Sequence, residues 1–349
     1  PLIAEIKTLG RNLEILFTTF SDTGKKEAQS LSSYVRILPL DNFLFYWFAL
    51  RGLKPRVLII SETEIWPALL WYCKAKDIPV IVINGALSER FIKRYKFFKW
   101  FLKDPLSVPK CFCTANEGTA KRLQELGVLR DKIKITGNTK YDLIQSRVNG
   151  TENSSSNSLF ILLFASVHPP EFSFVIQVIE ELRKTKCNLS FIIAPRHPEK
   201  VKILTEMLQQ RGLSYNLLSS GSSLVVVGEI LVIDVLGQLM NFYSMSSLIF
   251  VGGTLFPLGG HNLLEPASFK KPVCFGNYTF KVKEEAKELV SCGGGWEVTE
   301  AEELAKLVHK LCCNRELSKQ AGEKAFEVLT RFQGATSRSL EVIQQVINL

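Results

Sequence analysis

Residues 250–267 read FVGGTLFPLGGHNLLEPA, which has the pattern of a buried strand, a glycine-rich loop and the start of a helix. Glycine lets a backbone approach a ligand closely, and the free N–H groups at a helix start attract an anion such as phosphate. We expect the helix to begin near His261 or Asn262. Glu265 then lies about one turn into it, where a carboxylate can accept hydrogen bonds from a ribose diol. The pattern also fits a tight strand-to-helix turn with a glutamate that complements the helix dipole.

The surrounding sequence alternates short apolar runs with segments of helical period. Such alternation predicts an α/β protein whose parallel sheets are covered on both faces. The predicted strands are 13–18, 57–60, 80–83, 111–115 and 133–136, then 159–165, 189–194, 224–227, 248–251 and 273–275. Helices are expected between them, for example at 68–76 and 118–126.

The stretch 149–158, NGTENSSSNS, carries almost no apolar residue and cannot pack a core. We therefore expect a linker there, between one α/β domain at 1–148 and a second at 159–330. The chain ends in a long helical stretch that is broken near 331–334. Its last part, 331–349, is expected to cross back to the first domain.

Composition and charge narrow the class of protein. A chain of 349 residues with 46% hydrophobic residues is globular and long enough for about two domains. Its net charge of +9 favours an anionic partner, either nucleic acid, an acidic membrane surface or a phosphorylated substrate. Neither a spanning apolar run of about 18 residues nor a signal peptide is evident.

The cysteines and histidines do not predict a metal site. The cysteines are scattered through apolar stretches, as buried thiols of a reducing compartment would be. The histidines at 168, 197, 261 and 309 are taken to lie far from them in sequence, and the chain has no Asp-x-Asp pair. We expect no bound metal and no organic cofactor.

Four further segments stand in a fixed order along the chain: SETEIWP at 61–67, GNTKYD at 137–142, ASVH at 165–168 and PRHPE at 195–199. Together with GGHNLLEP at 259–266 they resemble the signature of the 3-deoxy-D-manno-oct-2-ulosonic acid (Kdo) transferases. The resemblance implies an inverting glycosyltransferase of the B-type fold, with two Rossmann-like domains facing a central cleft. It implies an acceptor-binding first domain and a second domain that binds the donor, CMP-Kdo.

The resemblance also implies site residues. Those expected to contact CMP are Pro195, Arg196, Leu236, Gly237, Gln238, Asn262, Leu263, Leu264 and Glu265. Family members often carry Met-Gly-Glu at 236–238, so the glutamine at 238 departs from the pattern. Alternatively, Arg196 is an exposed charged residue at the end of a strand and has no role in binding.

Glu62 and Lys140 are implied to stabilise the transition state, in which charge separates between an oxocarbenium-like sugar and the leaving CMP. Glu64 competes with Glu62 for this role, and a carboxylate at a helix start is the structural alternative for Glu62. The family's general base is a glutamate in a segment upstream of the part that aligns with Pro1. That base and an N-terminal membrane anchor are therefore expected upstream and are absent from this chain.

The segment 90–103, RFIKRYKFFKWFLK, interleaves cations with aromatic residues. This composition suits a helix at a membrane interface, an acylated acidic acceptor such as a lipid A precursor, or a half-buried surface helix. We expect a lipid A precursor as acceptor and a location at the cytoplasmic face of the inner membrane, with no nucleic-acid partner. The alternatives are another B-type glycosyltransferase, a UDP-binding sugar-nucleotide epimerase, or a non-catalytic basic protein that binds membranes or nucleic acid.

Overall fold

The computed structural model describes residues 1–9, 13–32, 34–62, 64–87, 92, 95, 104–148, 159–221 and 226–347. Two compact units divide the chain. The first comprises Pro1–Leu143 and Phe332–Leu349, and the second comprises Ile144–Arg331. The expected linker at 149–158 lies outside the described residues, as does nearly all of the basic aromatic segment at 90–103.

The first unit alternates helices and strands. Its described elements are α1 (Leu2–Leu9), β1 (Leu16–Thr19), α2 (Asp22–Ala28), β2 (Tyr34–Ile37), α3 (Phe43–Leu50), β3 (Leu58–Ser61), α4 (Pro67–Ala75), β4 (Val80–Gly85), β5 (Cys111–Thr114), α5 (Glu117–Glu125), β6 (Ile133–Ile135), α6 (Lys140–Val148), which runs on into the second unit, and α14 (Ala335–Ile347). Strands β1 and β2 pair in parallel, and β3-β4-β5-β6 form a second parallel sheet. The apolar runs of β4 and β5 are buried, as strands covered on both faces must be.

The second unit holds one larger sheet. Its described elements are β7 (Phe160–Val167), α7 (Phe172–Arg183), β8 (Leu189–Pro195), α8 (Val201–Gln210), β9 (Asn216–Leu217), β10 (Ile230–Val232), α9 (Leu239–Met245), β11 (Leu248–Val251), α10 (Leu264–Ala267), β12 (Val273–Phe275), α11 (Lys283–Cys292), β13 (Gly295–Glu297), α12 (Ala301–Cys313) and α13 (Arg315–Phe332), whose last residue is counted with the first unit. The sheet has the order β13-β12-β11-β7-β8-β10-β9, and every pairing is parallel. The predicted α/β class with parallel sheets is confirmed.

The strand order determines where a ligand can bind in the second unit. From β7 the chain proceeds through β8 to one edge of the sheet, and it then returns to build β11, β12 and β13 on the other side. The order thus reverses between the neighbours β7 and β11. Open parallel sheets bind ligands at such a switch point, outside the carboxyl ends of the strands.

Each unit has its own apolar core. In the second, the amphipathic helices α7 and α12 pack together against one face of the sheet, and the central strands are buried along their length. In the first, one core lies between the sheet and α4, and another joins α1, β4, β5 and α14. Within the described part of the chain, no helix is both long and apolar enough to span a bilayer.

Most predicted strands are confirmed within a few residues. Of the strand predicted at 224–227, residues 224 and 225 lie outside the described residues, and Val226 and Val227 belong to no strand. Val226 and Val227 are each 54% exposed, and β10, a few residues later, is the strand that pairs with β8 on the side away from β7. An apolar run alone does not distinguish the two segments, which are separated by a turn at Val227 and Gly228. The predicted helix break near 331–334 is confirmed, and a further break falls at Asn314.

Candidate functional site

A buried carboxylate joins the two loops at the switch point. The side chain of Glu171, which follows β7, is completely buried. It accepts hydrogen bonds from the backbone N–H groups of His168 (2.9 Å), Gly253 (2.8 Å), Thr254 (3.1 Å) and Leu255 (3.2 Å). Three of these donors belong to the loop after β11. Glu171 therefore fixes the glycine-rich loop against the end of β7, since a buried carboxylate needs such donors to offset its lost hydration.

Only glycine fits at the first position of the loop, because a side chain would collide with neighbouring atoms. A Cβ atom at Gly252 would lie 2.6 Å from the backbone oxygen of Ser166 and 2.8 Å from the Glu171 carboxylate. Real Cβ atoms do not tolerate such distances, so the two strand ends can approach this closely only with glycine here. Ser166 itself has a φ of 55°, in the left-handed region that non-glycine residues rarely adopt.

Three histidines gather at the same edge. The Nε2 atoms of His168 and His261 are 2.8 Å apart, and the His197 ring packs edge-on against His168 at 5.5 Å. In the neutral pair one Nε2 donates and the other accepts, so the pair shares one proton at this contact.

The electrostatics of the histidine pair suit an anion. Burial, followed by the neighbouring His168 and the cations of Arg196 and Lys281, lowers the pKa of His261 to about 4. Burial likewise lowers the pKa of His168, against the opposing effect of Glu171. The cationic neighbours that disfavour a protonated imidazole will favour a bound negative group.

The rest of the loop folds back on itself. The N–H of Gly260 donates to the carbonyl of Gly253 (2.8 Å), and the N–H of Lys281 donates to the carbonyl of Gly259 (3.0 Å). Gly259 has a φ of 95°, and a Cβ there would meet the Phe280 ring at 2.6 Å. The loop is thereby held beside the segment that carries Lys281.

The helix after the loop is shorter than the sequence suggested. Helix α10 is a single turn that begins at Leu264, and not near His261 or Asn262. Asn262 instead forms a turn in which its Oδ1 accepts from the N–H of Leu264 at 3.0 Å. Because the partial charge at a helix start comes from aligned peptide dipoles, a single turn contributes little to anion binding. We attribute the expected anion preference to the cations of Arg196 and Lys281, which lie close to His261 of the loop.

Glu265 is held from two sides. Its Oε1 accepts from Nδ2 of Asn262 at 3.3 Å, and the buried hydroxyl of Tyr243 donates to it. Burial and the Glu265 charge raise the pKa of Tyr243 well above its ordinary value, so this hydroxyl stays a donor. The carboxylate is thus held in position by two side-chain donors.

The remaining expected CMP-binding residues fall into three groups along the chain. Pro195 ends β8 and Arg196 follows it, exposed, with its N–H bonded to the carbonyl of Val167 across the strand ends. The side chains of Leu263 and Leu264 are fully buried, so we expect any ligand contact there to involve backbone atoms.

The segment 236–238 lies just before α9. Leu236 is 74% exposed, which leaves its side chain available to a ligand. Gly237 has a φ of 80°. The side chain of Gln238 is bound within its own helix start, where Oε1 accepts from Asn241 at 2.9 Å.

In the first unit, Glu62 occupies a strained position. It directly follows β3, its φ is 63°, and its N–H donates to the carbonyl of Ile83 in the neighbouring strand. Strained backbone at the carboxyl end of a parallel strand is typical of functional sites. Glu64 differs, because its carboxylate accepts from the indole N–H of Trp66 at 3.2 Å.

Lys140 begins α6, and its neighbours are held to the end of β4. Asn84, with a φ of 52°, exchanges two side-chain hydrogen bonds of 3.0 Å with the backbone N–H and hydroxyl of Thr139. The Lys140 ammonium lies 4.6 Å from the centre of the Tyr141 ring. These contacts position the lysine at the edge of the sheet where β3 and β4 end.

Sequence reasoning missed several residues of these sites. Glu171, Tyr243, Asn84 and Lys281 owe their roles to partners far along the chain. The only available signal was Pro-Pro-Glu directly after a strand, and it does not reveal burial. The expectation that all histidines lie far from the cysteines is wrong for His309, because one helical turn places it beside Cys313, with Cys187 close by.

Comparison with known proteins identifies the family of this chain. A family model described as 3-deoxy-D-manno-octulosonic-acid transferase (kdotransferase) matches residues 1–143. The 3-deoxy-D-manno-octulosonic acid transferase of Haemophilus influenzae is 31% identical over 99% of this chain and 83% of its own length. The enzyme of the same name from Chlamydia trachomatis serovar A is 29% identical over 95% of this chain and 78% of its own.

Solved structures share the fold. A glycosyltransferase from Rickettsia africae superimposes with a TM-score of 0.65 at 15% identity, covering 99% of this chain and 93% of its own. A UDP-GlcNAc 2-epimerase from Neisseria meningitidis, bound to UDP-GlcNAc, gives 0.57 at 17% identity, covering 99% and 95%. The predicted B-type glycosyltransferase fold is confirmed, although fold alone does not separate transferases from epimerases. The sequence relatives do separate them, and the chain belongs to the 3-deoxy-D-manno-octulosonic acid transferase family.

Proposed function

We propose that this Kdo transferase takes CMP-Kdo as donor and a lipid A precursor as acceptor, and that it binds the donor at the carboxyl edge of the second unit's sheet. The observation that carries the proposal is the loop fixed by Glu171 at the strand-order switch point. This arrangement places the histidine pair and the cations of Arg196 and Lys281 beside the glycine-rich loop. CMP-Kdo carries a phosphate and a sugar carboxylate, two anions that this set complements.

Glu265 supports the nucleoside part of the proposal. A carboxylate held by Asn262 and Tyr243 is ordered before a ligand arrives, so little entropy is lost when it accepts from a ribose diol. We assign the ribose to Glu265 and the phosphate to the loop with Arg196. Because one phosphate needs less neutralisation than a diphosphate, we propose that transfer needs no divalent ion.

Calorimetric titration with CMP tests this assignment. Glu265→Ala should weaken CMP binding by about 1–3 kcal/mol, because buried hydroxyls lose a charged acceptor. Arg196→Ala should weaken it by a similar amount. The matched controls are Glu206→Ala and Arg211→Ala, which remove exposed charges on and after α8. Equal affinities in the site variants and the controls would contradict the placement.

Nucleotide choice separates a transferase from the epimerase alternative. The proposal expects CMP to bind at least about tenfold, or about 1.4 kcal/mol, more tightly than UDP. Tighter binding of UDP than of CMP would favour the epimerase alternative. Mass analysis of the product from CMP-Kdo and a tetraacylated lipid A precursor then tests the transfer itself, and retained turnover in excess chelator is the expected result for a reaction without a divalent ion. Turnover is assayed with a chain that includes the upstream glutamate segment.

We assign Glu62 and Lys140 to stabilisation of the transition state. A lysine ammonium favours the charge that develops on the leaving phosphate, and a carboxylate favours the positive sugar. Lys140→Gln and Glu62→Gln should therefore lower kcat by roughly a hundredfold while leaving CMP affinity within about twofold. Glu64→Gln is the matched control for Glu62, since Glu64 is already bound to Trp66. An equal loss in the control, or unchanged kcat in both site variants, would remove the assignment.

We further propose that helix α3 docks on an anionic membrane surface. Its sequence is FLFYWFAL, and of its side chains Tyr46 is fully buried. Asp41 bonds both to Tyr46 and to the backbone at the start of α4, which anchors the helix with its apolar side outward. The exposed large side chains are Phe43, Leu44, Phe45, Trp47 and Phe48.

The cations next to α3 favour an anionic membrane as the surface that this helix contacts. Arg51 packs over the Phe48 ring at 5.7 Å, and Lys54 and Arg56 follow in the sequence. Aromatic groups flanked by cations are typical of helices that lie at the boundary between headgroups and acyl chains. A lipid A precursor is acylated and acidic, so an enzyme that takes it as acceptor gains from contact with the surface that holds it.

Vesicle co-sedimentation tests the docking. The double variant Leu44→Gln, Phe48→Gln should bind vesicles of phosphatidylglycerol and phosphatidylcholine at least about tenfold more weakly, because two inserted apolar side chains are lost. Val290→Gln, which changes an exposed apolar side chain on α11, should bind as the parent does. Pure phosphatidylcholine vesicles should bind the parent weakly. Equal binding by the double variant would contradict the role of α3.

A further inference from the structure

A group of sulfur and imidazole side chains lies away from the donor site. The ligand atoms of Cys187, His309 and Cys313 all lie within 4.8 Å of one another. Cys187 stands in the turn between α7 and β8, and the other two stand one turn apart at the end of α12. The Sγ atom of Cys313 lies 3.9 Å from Nε2 and 4.0 Å from Nδ1 of His309.

A fourth thiol lies beside the group. Cys312 is within hydrogen-bonding reach of Cys187, as is Cys313, but its sulfur is outside the set of ligand atoms that lie within 4.8 Å of one another. Cys187 is half-buried, and His309 and Cys313 are exposed, so an ion can reach the cluster from solvent. Once the Cys312 side chain turns toward the other three ligands, three thiols and one imidazole form the Cys₃His set that holds structural zinc in tetrahedral geometry.

The present distances suit a metal after small side-chain rotations. Zinc–sulfur and zinc–nitrogen bonds of about 2.3 Å and 2.0 Å place tetrahedral ligands somewhat closer together than 4 Å. Both His309 and Cys313 are exposed near the end of α12, where a side chain changes rotamer at little cost. Backbone rearrangement is not required, because helix α12 already packs against α7, the helix that precedes Cys187.

We propose that Cys187, His309, Cys312 and Cys313 bind one Zn²⁺ ion that joins the α7–β8 turn to the end of α12. On binding, the thiols lose their protons to solvent and the ion takes the thiolates and the neutral imidazole as ligands. No oxidation is involved. The site stabilises the second unit and takes no part in transfer, because β8 runs roughly 20 Å from the cysteine turn to the donor edge.

Metal content and spectra of the full chain, purified with reduced thiols, test the site. The parent should retain one equivalent of zinc after gel filtration, and Co²⁺ should give the thiolate-to-cobalt charge-transfer band. Cys313→Ser and His309→Ala should each lose most of the bound metal. Cys292→Ser is the matched control, because it changes another half-buried thiol of the same unit that bonds to backbone carbonyls.

Stability supplies a second readout. Zinc should raise the melting temperature of the parent and of Cys292→Ser but not that of Cys313→Ser, while CMP affinity stays the same in all three. Absence of stoichiometric metal in the parent would overturn the proposal. So would an equal loss in Cys292→Ser, or a disulfide between Cys187 and either helix cysteine in the reduced preparation.

Discussion

Glu171 holds together the two loops at the carboxyl edge of the second unit's sheet, which is the proposed donor-binding edge. A single carboxylate receives four backbone N–H groups from two loops that lie more than eighty positions apart in sequence. Charge-assisted bonds to a carboxylate are stronger than bonds between neutral groups, and burial strengthens them further. The residue touches no proposed ligand atom, so we regard it as a positioning residue.

Glu171→Gln should destabilise the second unit by roughly 2–4 kcal/mol, because the amide presents an NH₂ group to N–H donors and loses the charge. CMP affinity should fall as well, since the loop is no longer fixed. Urea unfolding and calorimetric titration measure the two effects. Glu181→Gln, which removes one exposed partner of Lys184, should change stability by less than about 1 kcal/mol. A similar small change for Glu171→Gln would contradict its assigned role.

The histidine pair predicts a pH dependence of stability. The pKa of His261 is about 4 in the folded chain and close to its ordinary 6.5 when unfolded. Between these values the unfolded chain binds more protons, so stability is complete above about pH 6.5 and is lost as pH falls toward 4. His168 acts in the same direction.

His261→Asn should therefore reduce the loss of stability between about pH 7 and about pH 5. Melting temperatures of parent and variant, followed by circular dichroism across this range, give the comparison. The asparagine side chain still offers a polar partner to His168 and does not titrate. An unchanged pH slope in the variant would show that other groups cause the dependence.

At the scale of elements, the Asp142 side chain holds the start of the last helix. Asp142 in α6 accepts hydrogen bonds from the N–H groups of Gly334 and Thr336, both at 2.7 Å, and from the Thr336 hydroxyl. It thereby caps α14, whose Val342 and Ile343 are buried in the core shared with α1, β4 and β5. The contact also fixes the helix that begins with Lys140.

Asp142→Ala should destabilise the first unit by about 1–3 kcal/mol, the range for loss of a cap with buried donors left unpaired. Hydrogen exchange should quicken in α14 before it does in β4. Asp131→Ala, at an exposed position of the same unit, is the control. Equal protection of α14 in both variants would mean that its burial alone holds the helix.

At the scale of the molecule, each unit has a separate apolar core, and the proposed donor contacts belong to the second. CMP should therefore slow hydrogen exchange in peptides that cover 166–171, 195–197 and 252–265, because a ligand stabilises the segments that bind it. Peptides of β3 and β4 should change little with CMP alone. Protection confined to the first unit would contradict the placement, and Glu265→Ala should abolish the effect.

The class of fold, most of the strands and the family can be predicted from the amino-acid pattern alone. Apolar runs such as β4 and β11 are local signals, because a strand covered on both faces must be apolar throughout. The motifs that carry the family resemblance are likewise contiguous, so their residues could be named without coordinates. The strand misplaced at 224–227 marks the limit of this reasoning, since two adjacent apolar runs compete and only sheet pairing selects one.

The contacts that hold the site together, in contrast, become visible in the three-dimensional fold. Glu171 under the glycine loop, Tyr243 behind Glu265, Asp142 at the start of α14 and His309 beside Cys187 are all pairings between distant segments. Periodicity and motif spacing describe neighbours along one element and carry no information on which polar groups become partners across the core. Burial then makes those partnerships strong, because a polar group removed from water depends on the particular group that the fold brings to it.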